Sequence, residues 1–378
     1  MDSKLIVALL LGLVSFFAHA EEYTASFDPG YRPALSSDEG GFWYQVDKLE
    51  ESIKVSPERV TDPVLNNYVK NITCKLAGEY CPHIRVYILR NPHFNAGMYP
   101  NGMMHVWSGL LLRTTSEAEL AAVLAHEIAH FLRSHQITQW RKLRANASAA
   151  IFADLFLTMG FATLGVVQGA MSFSRTQETE ADLFGLQLMA KAGYTPETAS
   201  QLWEYVYSET KSDKSKEKES VFFASHPKSN ERMAVLAKKA QELRAAGQQY
   251  DTKQKEYLAN VGPLYFDFMS SHLELQDLGR AQTMLDRQAS AGFPPADVAF
   301  FKGELAKLQT NNDATAIEQY KKSIGFPVHP AAAYRELGYL LTKINSPDAK
   351  TYLEHYLAVA PNASDKDMVQ YYIESVNK

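Results

Sequence analysis

The stretch Ser116-Glu117-Ala118-Glu119-Leu120-Ala121-Ala122-Val123-Leu124-Ala125-His126-Glu127-Ile128-Ala129-His130 decides the reading of the whole chain. Ser116 followed by Glu119 is a Ser/Thr-x-x-Glu helix start, and Leu120, Val123, Leu124 and Ile128 recur at three- and four-residue spacing. That period predicts a helix with one face in a core. Its end carries His126-Glu127-Ile128-Ala129-His130, an H-E-x-x-H sequence. Residues i and i+4 of a helix lie one above the other, so both imidazoles can meet one ion. Zinc takes neutral imidazole and keeps a position open for water in catalytic sites. Glu127, adjacent to a ligand, is rotated off the pair and suits a general base. One zinc ion per chain is therefore expected, with peptide-bond hydrolysis as the chemistry.

Two histidines leave the site short of a third protein ligand. A metzincin continuation needs Gly at 133 and His at 136, and the chain has Arg133 and Gln136. His135 is five residues past His130 and reads as off the ligand face of a continuous helix. Glu178-Thr179-Glu180-Ala181-Asp182 is the better source. Glu178 and Asp182 share a helix face, so Glu178 completes a two-His, one-Glu set. Asp182 accepts a hydrogen bond from the non-coordinating nitrogen of a ligand histidine, and Glu180 is expected to point elsewhere.

Upstream, helices are expected around 42–53 and 62–77. Strands are expected at 83–89, after Pro82, and at Met103–Trp107, after the turn Pro100-Asn101-Gly102. These flanks and Ser174-Arg175-x-x-Glu178-x-Glu180-Ala181-Asp182 carry a resemblance. With the H-E-x-x-H sequence, they resemble the gluzincin family that includes HtpX and the CAAX prenyl protease, and Asn95-Ala96 and Ser108-Gly109-Leu110-Leu111 resemble it too. The resemblance implies that Met103–Trp107 is the strand edge that pairs with substrate backbone. It also implies that His226-Pro227, with Arg232 after it, lies near the metal. There His226 either stabilises the oxyanion or fills the open position and holds the enzyme latent.

Composition narrows the class further. The 378 residues are 46% hydrophobic and 21% charged, with a net charge of −5, which suits a globular chain and gives no footing for nucleic acid. Lys4, the apolar run Leu5–Phe17 and Ala18-His19-Ala20 read as a signal peptide over residues 1–20, cleaved after Ala20. Export into an oxidising compartment predicts a Cys74–Cys81 disulfide between the two cysteines. Leu155–Phe173 carries no charge. One membrane crossing there would separate His130 from Glu178, so a buried hairpin is expected, with membrane contact as the lesser option. Ser212–Glu219 reads as a solvated loop.

Beyond Gly262 the pattern becomes one of paired helices. Ala281…Leu285, Ala316…Tyr320 and Ala349…Leu353 repeat an Ala-x-x-x-large unit at intervals of 35 and 33, and Gly303 and Gly338 recur 35 apart. A tetratricopeptide unit is ~34 residues. The expected architecture is α+β: a mostly helical zincin-like metallopeptidase domain with a small sheet over 21–250, then a TPR-like repeat domain over 262–378. With the resemblance, this implies a periplasmic endopeptidase acting on misfolded or assembling envelope proteins, its repeat face meeting envelope assembly machinery. The alternative is a chaperone-like binding module with a latent zinc site.

Overall fold

The computed structural model describes residues 22–146, 172–211, 221–227, 230–245, 247–310 and 312–375. The leader at 1–20, the Leu155–Met171 part of the uncharged run and the Ser212–Glu219 loop lie outside the described residues. In chain order the helices are α1 (Asp38–Lys54), α2 (Pro63–Ala77), α3 (Ser108–Arg113), α4 (Glu117–Leu132), α5 (His135–Asn146), α6 (Arg175–Lys191), α7 (Glu197–Lys211), α8 (Val221–Ser225) and α9 (Asn230–Ala245). The strands β1 (Arg85–Leu89), β2 (Ala96–Met98) and β3 (Met103–Trp107) lie between α2 and α3. The C-terminal region holds α10 (Gln254–Val261), α11 (Tyr265–Leu273), α12 (Leu278–Ala291), α13 (Pro295–Thr310), α14 (Asp313–Ile324), α15 (Ala332–Lys343), α16 (Ala349–Val359) and α17 (Lys366–Ser375). Among the described residues, no helix is long and apolar enough to cross a membrane.

Helix starts follow local chemistry. Ser37 and Asp62 accept from Gly40 N and Leu65 N, and Pro63 spends its missing N–H at the first position of α2. At α6, Ser174 and Gln177 satisfy each other's backbone in a full capping box. At α4 the cap is half of that arrangement. Ser116 Oγ accepts from Glu119 N at 3.2 Å, but the Glu119 carboxylate reaches one residue further back, to Thr115 N at 2.7 Å.

The sheet has the order β1-β3-β2, with β1 parallel and β2 antiparallel to β3. This corrects one expectation: Met103–Trp107 is the central strand, bonded on both sides, and has no edge to offer. The adjacent edge strand is β2, a three-residue piece too short for periodicity to reveal. Alternation along the strands divides two layers. Tyr87, Leu89, Met103 and Trp107 join Phe42, Val46 and Ile53 of α1 and Ile137 and Trp140 of α5. Ile88, Met104 and Val106 face the main core with α2 and α4. α4 is buried along its entire length, which is why its apolar residues extend all round rather than along one stripe.

Cys74 and Cys81 are disulfide-bonded with their Cα atoms 4.6 Å apart, closing the turn from α2 into the strand region. The main core continues from Val60 to Ala349. Tyr257 of α10 bonds Leu111 O and Thr114 Oγ1, both at 2.6 Å, and Arg287 of α12 bonds Glu119 at 2.7 Å. Further on, Gly303 of α13 faces the Tyr320 ring of α14, and Gly338 of α15 faces Leu353 of α16. A Cβ at Gly338 would lie 2.5 Å from Leu353 Cδ2, so these helix pairs close only because glycine is there.

Candidate metal centre

Two helices build the site. α4 carries His126, Glu127 and His130, and α6 crosses it carrying Glu178 and Asp182. They approach closely at Gly185, where an added Cβ would stand 3.1 Å from His126 N and 3.2 Å from Ala125 C. A third piece, α8, ends at Ser225 and delivers His226 from the opposite side.

These elements bring together His126, His130, Glu178 and His226, all buried, with one potential ligand atom from each lying within 4.8 Å of the others. His126 Nε2 is 3.1 Å from His130 Nε2 and 3.1 Å from His226 Nδ1. Glu178 Oε1 is 3.3 Å from His130 Nε2 and 2.9 Å from His226 Nδ1. Four donors around a zinc ion with bonds of ~2.0–2.1 Å would stand about 3.3–3.4 Å apart, the edge of the tetrahedron. The His126–Glu178 edge is longer, with His126 Nε2 3.8 Å from Glu178 Oε2, and the N/O chemistry of the donors fits such an ion.

The surroundings orient these groups. Asp182 Oδ1 lies 3.0 Å from His126 Nδ1, on the side of that ring away from the cluster. Arg232 grips both acids of α6: Nε and Nη2 reach the Asp182 carboxylate at 2.6 and 2.9 Å, and Nη1 reaches Glu178 Oε2 at 2.5 Å. Glu127 faces another direction, with His226 Nε2 3.3 Å from its Oε1 and the Met98 backbone N–H donating to it. The phenyl ring of Phe173 stacks on His130 with centroids 4.0 Å apart, and Phe222 stacks on His226 at 4.3 Å. Beside His226 a cavity of about 250 Å³ is walled by Trp203, Tyr207, Phe222, Phe223 and Met233.

Charge is distributed unevenly here. Burial pushes the Glu127 carboxyl above the usual range, with the Glu178 charge adding to it against the pull of His226 and His126. Burial acts on Glu178 in the same sense, but His226, His130 and His126 overcome it and hold that carboxyl well below its ordinary value. Burial drives His130 well below the ordinary imidazole value. His226 goes the other way: burial would lower it, yet the Glu178 and Glu127 carboxylates raise it.

Four of the residues nominated from the sequence, His126, His130, Glu178 and His226, form this cluster, and Glu127 and Asp182 stand against it. Two that were set aside also stand against it. His135 Nδ1 is 2.9 Å from His130 Nδ1, and Glu180, expected to point elsewhere, lies 3.2 Å from His135 Nε2. The expectation for His135 assumed a continuous helix. The chain instead turns at Ser134, whose φ of 53° is left-handed, and α5 folds back with His135 facing the site.

A helix-borne histidine pair, a glutamate from a second helix and a buried carboxylate beside them form a candidate metal centre with a two-His, one-Glu donor set. Residues 61–240 match the profile "Peptidase family M48", and the chain carries a domain of that family. It is similar to the beta-barrel assembly-enhancing protease of Yersinia pestis, 29% identical over 161 residues, covering 38% of this chain and 33% of that protein. The protein of the same name from Escherichia coli strain K12 is 24% identical over 259 residues, covering 64% and 52%. The mitochondrial metalloendopeptidase OMA1 of Schizosaccharomyces pombe is 32% identical over 157 residues, covering 40% and 45%. The matched segments thus span about a third to a half of these relatives.

Proposed function

We propose that the protein is an exported zinc endopeptidase that cleaves misfolded or misassembled cell-envelope polypeptides, with His126, His130 and Glu178 as ligands and Glu127 as base. The observation that supports this is the convergence of three potential ligand atoms from two helices, 3.1–3.8 Å apart, with a separate buried carboxylate beside them. When bound, zinc acidifies a water and polarises the scissile carbonyl. Glu127 takes the proton from the attacking water at Oε1 and returns it to the leaving nitrogen. β2, the edge strand whose Met98 N–H reaches Glu127, is the better candidate for pairing with substrate backbone.

His226 has two readings, and its position favours one. Its Nδ1 sits among the ligand atoms. That supports a latent conformation in which His226 fills the fourth position, and the aromatic cavity next to it offers room for release. The helix pairs α13–α14 and α15–α16 support a TPR-like region that recruits substrates or envelope assembly machinery. The relatives named for β-barrel assembly make the periplasm the natural compartment.

Purified protein, wild type and Glu127→Gln, tested for bound zinc and for cleavage of unfolded casein, checks the reading. The variant is expected to keep zinc and lose at least ~100-fold in rate; wild-type cleavage by the variant sinks it. His226→Ala should raise cleavage if His226 is a latch and lower it if His226 stabilises the oxyanion.

A further inference from the structure

We infer that His135 and Glu180 are positioning residues that fix the proton of His130, so that its Nε2 lone pair is aimed at the metal. The inference rests on the reading of His130 as a ligand. Its basis is a run of polar contacts that, with Glu180 ionised and His135 neutral, admits one arrangement of protons. Arg133 Nε holds Glu180 Oε1 at 2.5 Å, leaving Glu180 Oε2 to face His135 Nε2 at 3.2 Å. A carboxylate only accepts, so His135 Nε2 carries the hydrogen. In a neutral imidazole the other nitrogen is then an acceptor, so His135 Nδ1 accepts across the 2.9 Å contact with His130 Nδ1. His130 Nδ1 must therefore be the donor, and its Nε2, 3.1 Å from His126 Nε2 and 3.3 Å from Glu178 Oε1, is left unprotonated.

The neighbouring ligand has a carboxylate close to its outer nitrogen with no ring between them. His126 Nδ1 meets the Asp182 carboxylate directly, and Arg232 clamps that carboxylate. Each ligand imidazole thus ends in a carboxylate gripped by an arginine, and for His130 a second imidazole is inserted. The insertion is what the turn at Ser134 makes possible. Ser134 adopts a φ of 53°, a conformation costly for a residue with a Cβ, and its hydroxyl is held by Ser26 Oγ at 2.8 Å. Without that turn, a residue five places on would face away from His130.

The test uses the full chain in two measurements. Ring nitrogen shifts of ¹⁵N-histidine in metal-free protein report the His130 tautomer, and competition for zinc against a chelator reports affinity. Wild type should show His130 protonated at Nδ1. His135→Phe and Glu180→Ala should each lose that tautomer and bind zinc roughly 10–100-fold more weakly, the usual loss when the partner of a ligand imidazole is removed. Glu180→Gln keeps an acceptor oxygen and should stay near wild type in tautomer, whereas a purely electrostatic role would make it resemble Glu180→Ala. The double variant His135→Phe/Glu180→Ala should be no worse than the weaker-binding single variant, while adding Asp182→Ala should multiply the loss. Glu180 is partly exposed, so its variants are expected to fold even if His135→Phe does not. Zinc affinity within twofold of wild type in Glu180→Ala, or an unchanged His130 tautomer, overturns the inference. Wild type that binds no zinc overturns the metal reading instead, and the tautomer measurement then decides the hydrogen-bond chain by itself.

Discussion

Replacing Gly185 by alanine should weaken metal binding as well as the fold. A methyl there would stand 3.1 Å from His126 N, 3.2 Å from Ala125 C and 3.3 Å from His126 Cα. Comfortable carbon contacts begin near ~3.5 Å, and the facing atoms are backbone, so α6 must retreat by roughly 0.3–0.5 Å. Alanine gains about 1 kcal/mol over glycine in a helix interior, while overpacking costs about 1–3 kcal/mol. The net loss of stability is therefore ~0–2 kcal/mol. The retreat acts directly on the site: Glu178 and Asp182 ride on α6, and the His126–Asp182 contact of 3.0 Å has little length to spare. A zinc-affinity loss of about tenfold is expected, read by chelator competition, with stability read by urea unfolding of the metal-free protein. If Gly185→Ala is about 1 kcal/mol more stable and binds zinc as wild type does, the helix crossing is not tight and the reasoning fails.

Other expectations follow from buried groups. Arg113 and Glu209 form a buried ion pair at 2.7 Å, so Arg113→Met alone should cost ~3–5 kcal/mol in urea unfolding, and adding Glu209→Leu should recover most of it. Burial would raise the Glu50 carboxyl, but hydrogen bonds from Arg85 and Tyr87 hold it below its ordinary value. Its stabilisation is therefore complete above the unfolded value of ~4.3 and is lost as pH falls through the lower folded value. Glu50→Gln should flatten the acid limb of a stability–pH curve, and an unchanged limb would count against that assignment. Gly338→Ala should cost ~1–3 kcal/mol by forcing apart α15 and α16, seen as a lower unfolding midpoint with zinc affinity intact.

The sequence made the metal helix legible because capping, periodicity and ligand spacing all fall within Ser116–His130. Glu178 and Asp182 were legible for the same reason: four-residue spacing on one helix is a local signal. β2 was not, since three residues carry no period and its place at the edge depends on which strand β3 pairs with. The rule that puts His135 off the ligand face holds only while the helix continues. Its end at Leu132 is marked by neither glycine nor proline, and the left-handed residue is a serine. Arg232 reaches Glu178 and Asp182 from another helix, a pairing that spacing along the chain does not express.

The segment Tyr23–Phe27 runs across the far end of α4. Ser26 gives both its N–H and its hydroxyl to Leu132 O, at 2.7 and 2.9 Å, while Arg133 bonds Thr24 O and Tyr23 bonds Gln187 of α6. Phe27 wedges its ring against Phe131 and Tyr80. This strand of chain is thus a clasp over the two helices that carry the ligands, and it lies well outside the segment that matches the peptidase family. A protein trimmed to that segment would keep every proposed ligand and lose the buckle that holds their two helices in register.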